Sequence, residues 1–163
     1  MSFNFIEHLN QILPEECRAV PFHWGHLHLM DLDAGQQKTI EHTPNFAQTV
    51  QHYADNGYSA TILLLGKPVL SFGEMQIWPG VHELWMMGDI PTFKKNPIKL
   101  TKLSRKSINS LENSLLWHRL QIVVRCDNVS AVKWARTIGF EFEGLVRKYT
   151  PDGCDCIFYS RIK

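Results

Sequence analysis

Residues 121–144 read QIVVRCDNVSAVKWARTIGFEFEG, and this stretch decides the fold. A β-rich run ends at Asp127-Asn128, a pair that can cap the helix that follows it. That helix places small and apolar residues on one side and ends at Gly139, since glycine readily adopts the left-handed conformation that closes helices. A new strand begins at Phe140. The stretch therefore predicts a strand, a helix and a strand in succession.

Working outward, hydrophobic periodicity and turn residues predict the remaining elements. Thr43 caps one predicted helix with Pro44 at its first position, and Asn96-Pro97 opens a longer one. The predicted helices cover 3–13, 43–55, 96–117 and 130–138, and the predicted strands cover 22–32, 58–65, 69–77, 82–87, 120–125, 140–149 and 154–162. Strands and helices in this order predict a mixed α/β fold, and the chain shows no repeat or linker, so residues 1–163 are predicted to form a single domain.

Composition places the chain among globular proteins. Hydrophobic residues make up 44% of its 163 residues, with nine Phe and five Trp, which argues against disorder. No apolar run approaches the length of a membrane span, and the N-terminus lacks a basic segment and the apolar core of a signal peptide. We therefore expect no membrane association and a cytoplasmic location.

The net charge of +1 conceals a strong polarity along the chain. Residues 1–93 carry three basic and ten acidic side chains, whereas residues 94–163 carry fourteen basic and six acidic ones. The basic half is expected to attract a polyanion such as coenzyme A or nucleic acid. Neutralisation of one half by the other within the domain is the alternative explanation.

Cysteine and histidine spacing raises the question of a metal site. The four cysteines are too few and too scattered for a disulfide framework. Cys154 and Cys156 share one face of a predicted strand, and so do His26 and His28, but each pair would need ligands from elsewhere. A half-exposed strand with ordinary histidines is the simpler interpretation, and no metal is predicted.

The spacing Asn128-x-x-Ala131-x-x-Trp134-x-x-x-x-Gly139-Phe140 resembles the second half of the GCN5-related N-acetyltransferase (GNAT) superfamily. The order of predicted elements is also similar to that family along nearly the whole chain. The resemblance implies a mainly antiparallel sheet that splays between strands 4 and 5, with helices on both faces. It implies transfer of an acetyl group from acetyl-CoA to a primary amine of a protein or small molecule, and the family includes many homodimers.

The resemblance further implies a phosphate-binding segment where strand 4 leads into the long helix. In the family this segment reads Gln/Arg-x-x-Gly-x-Gly/Ala, and its backbone N–H groups hold the pyrophosphate of coenzyme A. Residues 91–99, PTFKKNPIK, occupy it here, with Lys94 at the basic position. The implied cofactor-binding residues are Gly88, Asp89, Ile90, Lys94, Lys95, Asn96, Ile98 and Lys99, together with Asn128, Ala131 and Trp134 near the later helix.

This segment departs from the family pattern, because Pro97 and Lys99 replace its two glycines. Proline has no N–H to donate, although it is well suited to the first position of a helix. A basic stripe at helical spacing, Lys95, Lys99, Lys102 and Lys106, offers point charges in compensation. A solvated helix face is the alternative, and nucleic acid is a third and weaker one because no aromatic residues alternate with the lysines.

For proton transfer the resemblance implies Glu83 on strand 4 as the base, eleven residues before Lys94. Apolar neighbours on that strand favour a raised pKa for its carboxyl group. The family's usual acid, a tyrosine after the apolar helix position, is absent, since Ala135 follows Trp134. Ser130, one position from a serine used by some branches, and Tyr149 on the last hairpin are the remaining catalytic candidates.

A second resemblance supports a different class of function. Residues 128–139 and the turn at 149–153, YTPDG, are similar to the short internal virion proteins of T7-like bacteriophages. Together with the altered glycine motif, this predicts as an alternative a GNAT-like protein without catalysis, with a binding or structural role. The implied location is then the host cytoplasm or the virion, and the implied partner is a phage or host protein.

Overall fold

The computed structural model describes residues 4–163 as a seven-stranded sheet with helices on both faces. The strands are β1 (Cys17–Val20), β2 (Ser59–Leu64), β3 (Lys67–Trp78), β4 (Val81–Gly88), β5 (Arg119–Arg125), β6 (Glu141–Val146) and β7 (Cys156–Ile162). The helices are α1 (Phe5–Ile12), α2 (Ala34–His42), α3 (Phe46–Asn56), α4 (Ile90–Lys95), α5 (Pro97–Ser114) and α6 (Val129–Thr137), with a 3₁₀ helix at Trp24–Leu29.

The sheet has the order β1-β2-β3-β4-β5-β7-β6, and β4 with β5 is its parallel pair. These two strands are paired at only three positions, Val81–Glu83 of β4 against Arg119–Gln121 of β5. Their remaining residues line a cavity instead of a hydrogen-bonded ladder. The predicted sheet, splayed between strands 4 and 5, is confirmed.

Two hydrophobic clusters cover the two faces of the sheet. The larger contains residues of α1, α5 and α6 and buries Leu84 of β4. The smaller contains residues of the 3₁₀ helix and α3 and buries Met87, with Trp85 packed against it. Since side chains alternate along a strand, Glu83, Trp85 and Met87 lie on the face covered by α2 and α3, opposite α5.

The predicted strand at 22–32 is wrong. Its central part is the 3₁₀ helix, and the first strand lies earlier, at Cys17–Val20. The His23 ring accepts a hydrogen bond from the Gly25 N–H at 3.1 Å, and the His23 N–H donates to the His26 ring at 3.3 Å. These histidine side chains thus accept hydrogen bonds from backbone N–H groups that, in a strand, would bond to a neighbouring strand. The apolar residues Phe22, Leu27 and Met30 are buried, but at the spacing of a turn.

Two helices were not predicted, and one predicted helix begins later than expected. The Asp33 side chain accepts from the Gln36 N–H at 2.7 Å and caps α2. Helix α4 precedes the long helix. Asn45 adopts a left-handed conformation, φ 51°, so that α3 begins at Phe46 and Thr43 ends α2.

Across residues 4–163, no helix has the length and apolar character needed to cross a membrane. The same range contains no group of three His, Cys, Asp or Glu side chains arranged to hold a metal ion.

A buried carboxylate fixes the end of β4. Asp89 is fully buried and accepts hydrogen bonds from the Asp31 N–H (2.9 Å), the Thr92 N–H (3.2 Å) and Lys67 Nζ (3.0 and 3.1 Å), and also from the Thr92 hydroxyl. Burial alone would raise the pKa of Asp89, but these hydrogen bonds, that of the Thr92 hydroxyl foremost, outweigh it and lower the pKa. The carboxylate joins β4, α4 and the segment before α2.

Asp89→Ala is expected to lower the free energy of unfolding by about 2 kcal/mol at neutral pH, because it removes a helix cap and several hydrogen bonds. Since the pKa is lowered in the folded state, the carboxylate's contribution is complete above its ordinary pKa of about 3.9. It is lost as the pH falls through the lower folded value. Urea unfolding at a series of pH values should show the gap to wild type narrowing below about pH 4.

The control is Asp55→Ala, since exposed Asp55 bonds to Gln51 one turn away on α3. We expect this change to cost under about 0.5 kcal/mol. If Asp89→Ala lowered the free energy of unfolding by the same amount at every pH, the stabilisation could not come from the ionised Asp89 carboxylate.

Candidate functional site

Three adjoining cavities run through the sheet where β4 and β5 separate. The central cavity, about 230 Å³, lies between the two strands and contacts both Leu84 and Val124. On one side it shares Met86 and Trp134 with a cavity of about 360 Å³, here named the α4–α6 cavity. On the other it shares Glu83 with a cavity of about 350 Å³, the α3-side cavity.

The α4–α6 cavity brings together six of the predicted site residues. They lie at the end of β4, on α4 and on the first turns of α6: Gly88, Ile90, Lys94, Ser130, Ala131 and Trp134. Phe93 packs edge-on against Trp134, with ring centroids 5.8 Å apart, and forms the apolar wall. Pro97 at the start of α5 also lines this cavity. The site therefore combines an apolar wall, one lysine and a helix start.

Four other predicted cofactor residues face elsewhere. Lys95, Asn96, Ile98 and Lys99 line a separate cavity of about 550 Å³ beside the segment between α1 and β1. Lys99 forms a salt bridge with Glu16, and Lys106 donates to the Ile12 carbonyl at 2.7 Å. Two lysines of the predicted basic stripe are thus bonded to the N-terminal part of the chain, and charge neutralisation within the molecule accounts for part of the charge polarity.

The start of α5 lacks a side-chain cap. Asn96 ends α4 and begins α5 without accepting from a first-turn N–H, and Pro97 has no N–H to offer. The N–H groups of Ile98 and Lys99 therefore have no side-chain acceptor. Helix starts of this kind attract anions, so the position retains part of the phosphate-binding character that the glycine motif would supply.

Asn128 is bonded on both sides of its amide. Its carbonyl oxygen accepts from the Ala131 N–H at 3.0 Å and caps α6, and its NH₂ group donates to both carboxylate oxygens of Asp33 at 3.1 Å. A Cβ on Gly35 would lie 2.7 Å from the Asn128 amide nitrogen, so α2 and α6 begin in close contact. The predicted coenzyme A contact therefore lies at a residue whose side chain connects two helices across the cleft.

Glu83 stands at the point where β4 and β5 separate. Gln121 Nε2, from the paired position on β5, donates to Glu83 Oε2 at 3.0 Å, and Arg119 Nε donates to Gln121 Oε1 at 3.0 Å. Arg119 is itself paired with Glu143. This chain of hydrogen bonds orients the Gln121 amide and presents its NH₂ group to the carboxylate.

Tyr149 lines the same α3-side cavity as Glu83. Burial, and after it the negative charge of Glu83, raises the pKa of Tyr149 above the ordinary value of tyrosine. Ser130 is exposed and lines the α4–α6 cavity instead. Of the three predicted catalytic residues, the structure places two in one cavity and the third in another.

Sequence reasoning missed Arg125. It is nearly buried at the end of β5 and forms two hydrogen bonds each with Asp127 and Asp152, at 2.8 to 3.0 Å. These hydrogen bonds hold the pKa of Asp127 at about 2, and the Arg125 bonds likewise lower the pKa of Asp152. Lys38 on α2 joins the group through Asp127 at 3.2 Å. An arginine directly after the apolar run 122–124, two residues before an aspartate, was the available signal.

Structure comparison finds acetyltransferases of similar fold. A GNAT-family acetyltransferase from Bacillus anthracis is 13% identical and superimposes with a TM-score of 0.66, covering 93% of this chain and 97% of the other. The ribosomal-protein-S5-alanine acetyltransferase of Vibrio fischeri is 14% identical, with a TM-score of 0.66 and coverage of 93% and 95%. A microcin C7 self-immunity acetyltransferase, solved with acetyl-CoA and AMP, is 14% identical, with a TM-score of 0.66 and coverage of 92% and 94%.

At these identities the comparisons establish the fold, and the GNAT fold predicted from residues 128–140 and the element order is confirmed. No protein-family model matches the chain. No curated protein sequence is significantly similar to it either.

Gly88→Ala is expected to destabilise the protein by about 1–3 kcal/mol. A Cβ at this position would lie 2.4 Å from a ring carbon of Phe93, which forms the wall of the α4–α6 cavity. Either the ring or the end of β4 must move to accommodate the methyl group, and urea unfolding measures the loss. Gly144→Ala is the matched control, since a Cβ there meets no atom within 4 Å. Equal stability of the two variants would show that Gly88 is not constrained by packing.

Proposed function

We propose that the chain is an N-acyltransferase that moves an acetyl group from acetyl-CoA to a primary amine. The observation that carries the proposal is the series of three cavities through the sheet. One end lies beside Lys94 and the uncapped start of α5, and the other beside Glu83 and Tyr149. An anion-attracting end and a proton-accepting end, joined through a cleft, are the arrangement that acyl transfer to an ammonium group requires.

The residues of the α4–α6 cavity fit acetyl-CoA in their chemistry. Lys94 would hold phosphates beside the positive end of the α5 dipole at Pro97, and Phe93 and Trp134 offer apolar surface to the pantetheine arm. One structurally similar acetyltransferase was solved with acetyl-CoA. When bound, the cofactor supplies a thioester whose carbonyl carbon accepts the amine.

Glu83 takes the proton that must leave the ammonium before the nitrogen can attack. Its carboxylate is held by Gln121, a neutral donor, so its charge is not cancelled by a cation in the α3-side cavity. Tyr149 is protonated at neutral pH, as tyrosine ordinarily is, and its hydroxyl is the proposed donor to the departing sulfur. Ser130 lies on the cofactor side, where its hydroxyl borders the position proposed for the pantetheine arm.

A binding protein without catalysis is the second candidate, and the contact between Asn128 and Asp33 favours it. This contact joins the starts of α2 and α6 beside the central cavity, and Pro97 leaves one backbone N–H fewer to bind phosphate. In that case the partner is a phage or host protein, as the second resemblance implies, or a further copy of the chain. Binding of acetyl-CoA separates the two candidates.

Lys94→Ala is expected to weaken acetyl-CoA binding about tenfold in isothermal titration, a loss of about 1.4 kcal/mol. The reason is the loss of a positive charge at the mouth of the α4–α6 cavity. Lys95→Ala is the matched control, because the neighbouring lysine lines the separate cavity beside Glu16, and its effect should stay below about twofold. Wild-type protein that releases no heat with millimolar acetyl-CoA would favour the binding-protein candidate.

Glu83→Gln is expected to lower kcat about 10²- to 10⁴-fold, the range typical of removing a general base. Glutamine keeps the size of the side chain and its hydrogen bond with Gln121, so the affinity for acetyl-CoA should be unchanged. The measurement is release of the coenzyme A thiol with a primary amine in excess. Glu141→Gln, a change of an exposed carboxylate on β6, is the control. A loss of less than about twofold in Glu83→Gln would exclude Glu83 as the base.

A further inference from the structure

The α3-side cavity has a distinct chemical character. Aromatic and sulfur-containing side chains form one part of its walls: Phe46, Tyr53, Met75, Trp85, Met87, Tyr149 and Cys156. Threonine side chains form another part: Thr39, Thr43, Thr49 and Thr150. The aromatic and sulfur-containing side chains offer large apolar area, and aromatic rings also attract cations over their faces. The cavity is therefore suited to an apolar body that carries a positive charge.

The cavity holds one uncompensated charge. Among the residues that line it, Glu83 and Arg125 are the charged ones. Arg125 is neutralised, because Arg125 and Lys38 together face Asp127 and Asp152 in one ion-paired group. Glu83 has a neutral hydrogen-bond donor, Gln121, and no salt bridge with any residue between 4 and 163. A ligand in this cavity therefore meets a single free negative charge among uncharged apolar and threonine side chains.

The size of the cavity limits the ligand. About 350 Å³ lies at the low end of the range of about 300–1,000 Å³ that is usual for small-molecule sites. This volume accommodates one aromatic ring with a short chain and is small for an oligosaccharide. A second positive charge on the ligand would find no carboxylate besides Glu83 among the residues that line the cavity, and a negative charge would meet an Arg125 already paired with Asp127 and Asp152.

We propose that the acetyl acceptor is a small primary monoamine with an aromatic or similarly apolar body and no carboxylate, an inference that rests on the proposed function. Its ammonium lies at Glu83 and its body among the aromatic side chains of the α3-side cavity. The new bond joins its nitrogen to the carbonyl carbon of the thioester, and the C–S bond breaks. Of the two protons that leave the nitrogen, Glu83 takes one and passes it to water, and the other ends on the sulfur of coenzyme A.

The test compares acceptors of different charge with the chain of residues 1–163. Release of the coenzyme A thiol from acetyl-CoA is measured with phenethylamine, putrescine, phenylalanine and a short peptide that carries one lysine. We expect kcat/KM for phenethylamine to exceed that for each of the others at least tenfold. A preference for putrescine, phenylalanine or the peptide would overturn the inference and leave the proposed function intact.

A charge change in the wall of the α3-side cavity tests whether the single negative charge causes the preference for a monoamine. Tyr53 is half-buried on α3, and Tyr53→Glu adds a second carboxylate, while Tyr53→Gln is the neutral control of the same size. The ratio of kcat/KM for putrescine to that for phenethylamine should be at least fivefold higher in Tyr53→Glu than in Tyr53→Gln. Ratios within twofold of each other would overturn the charge argument.

Direct titration separates failure of the inference from failure of the proposed function. If acetyl-CoA binds but no amine is acetylated, the proposed function fails. Titration with phenethylamine then tests by itself whether the α3-side cavity binds an amine. Phenethylamine should bind the wild-type protein and bind Glu83→Gln at least tenfold more weakly. Absence of binding to the wild type, or equal binding to both, would overturn the amine site.

Discussion

The rest of the structure depends on the short parallel ladder between β4 and β5. Three residues of each strand pair, from Val81 against Arg119 to Glu83 against Gln121, and beyond them the strands diverge. Strands in a complete sheet satisfy their backbone groups and fill the space between the two faces. Where these strands separate, a cavity of about 230 Å³ lies between them instead, and it shares lining residues with a cavity on either side. The three adjoining cavities therefore follow from the early end of one ladder.

Polar contacts at the open end of the cleft hold the diverging strands in place. Asp89 connects the end of β4 with α4 and with the segment before α2, and Asn128 connects the end of β5 with the start of α2. Both side chains are also helix caps. The same two side chains cap α4 and α6 and hold the ends of β4 and β5. The positions of α4 and α6 beside the cavity therefore depend on where these two strands end.

Local patterns allowed most of the sheet to be predicted. The strand-helix-strand stretch at 121–144 carries its own cap and terminating glycine, so neighbouring residues determine it. The stretch at 22–32 misled because its apolar residues Phe22, Leu27 and Met30 are buried around a 3₁₀ helix that His23 caps, and not on one face of a strand. Helix α2 escaped prediction because it buries no residue fully and so has no apolar stripe. The pairings of Lys99 with Glu16 and of Arg125 with Asp152 join distant parts of the chain, and charge spacing alone contains no information about them.

The position of Glu83 illustrates how the ladder and the chemistry are connected. It is the last paired residue of β4, so its backbone is held by the sheet while its side chain reaches the cavity. Gln121, its partner across the ladder, holds the carboxylate, and Arg119 in turn fixes the Gln121 amide. One residue further along, β4 is no longer paired with β5, so no residue of β5 lies opposite to orient a side chain. A carboxylate that must be both rigid and accessible is therefore best placed at the vertex of the cleft, where the free negative charge of the α3-side cavity lies.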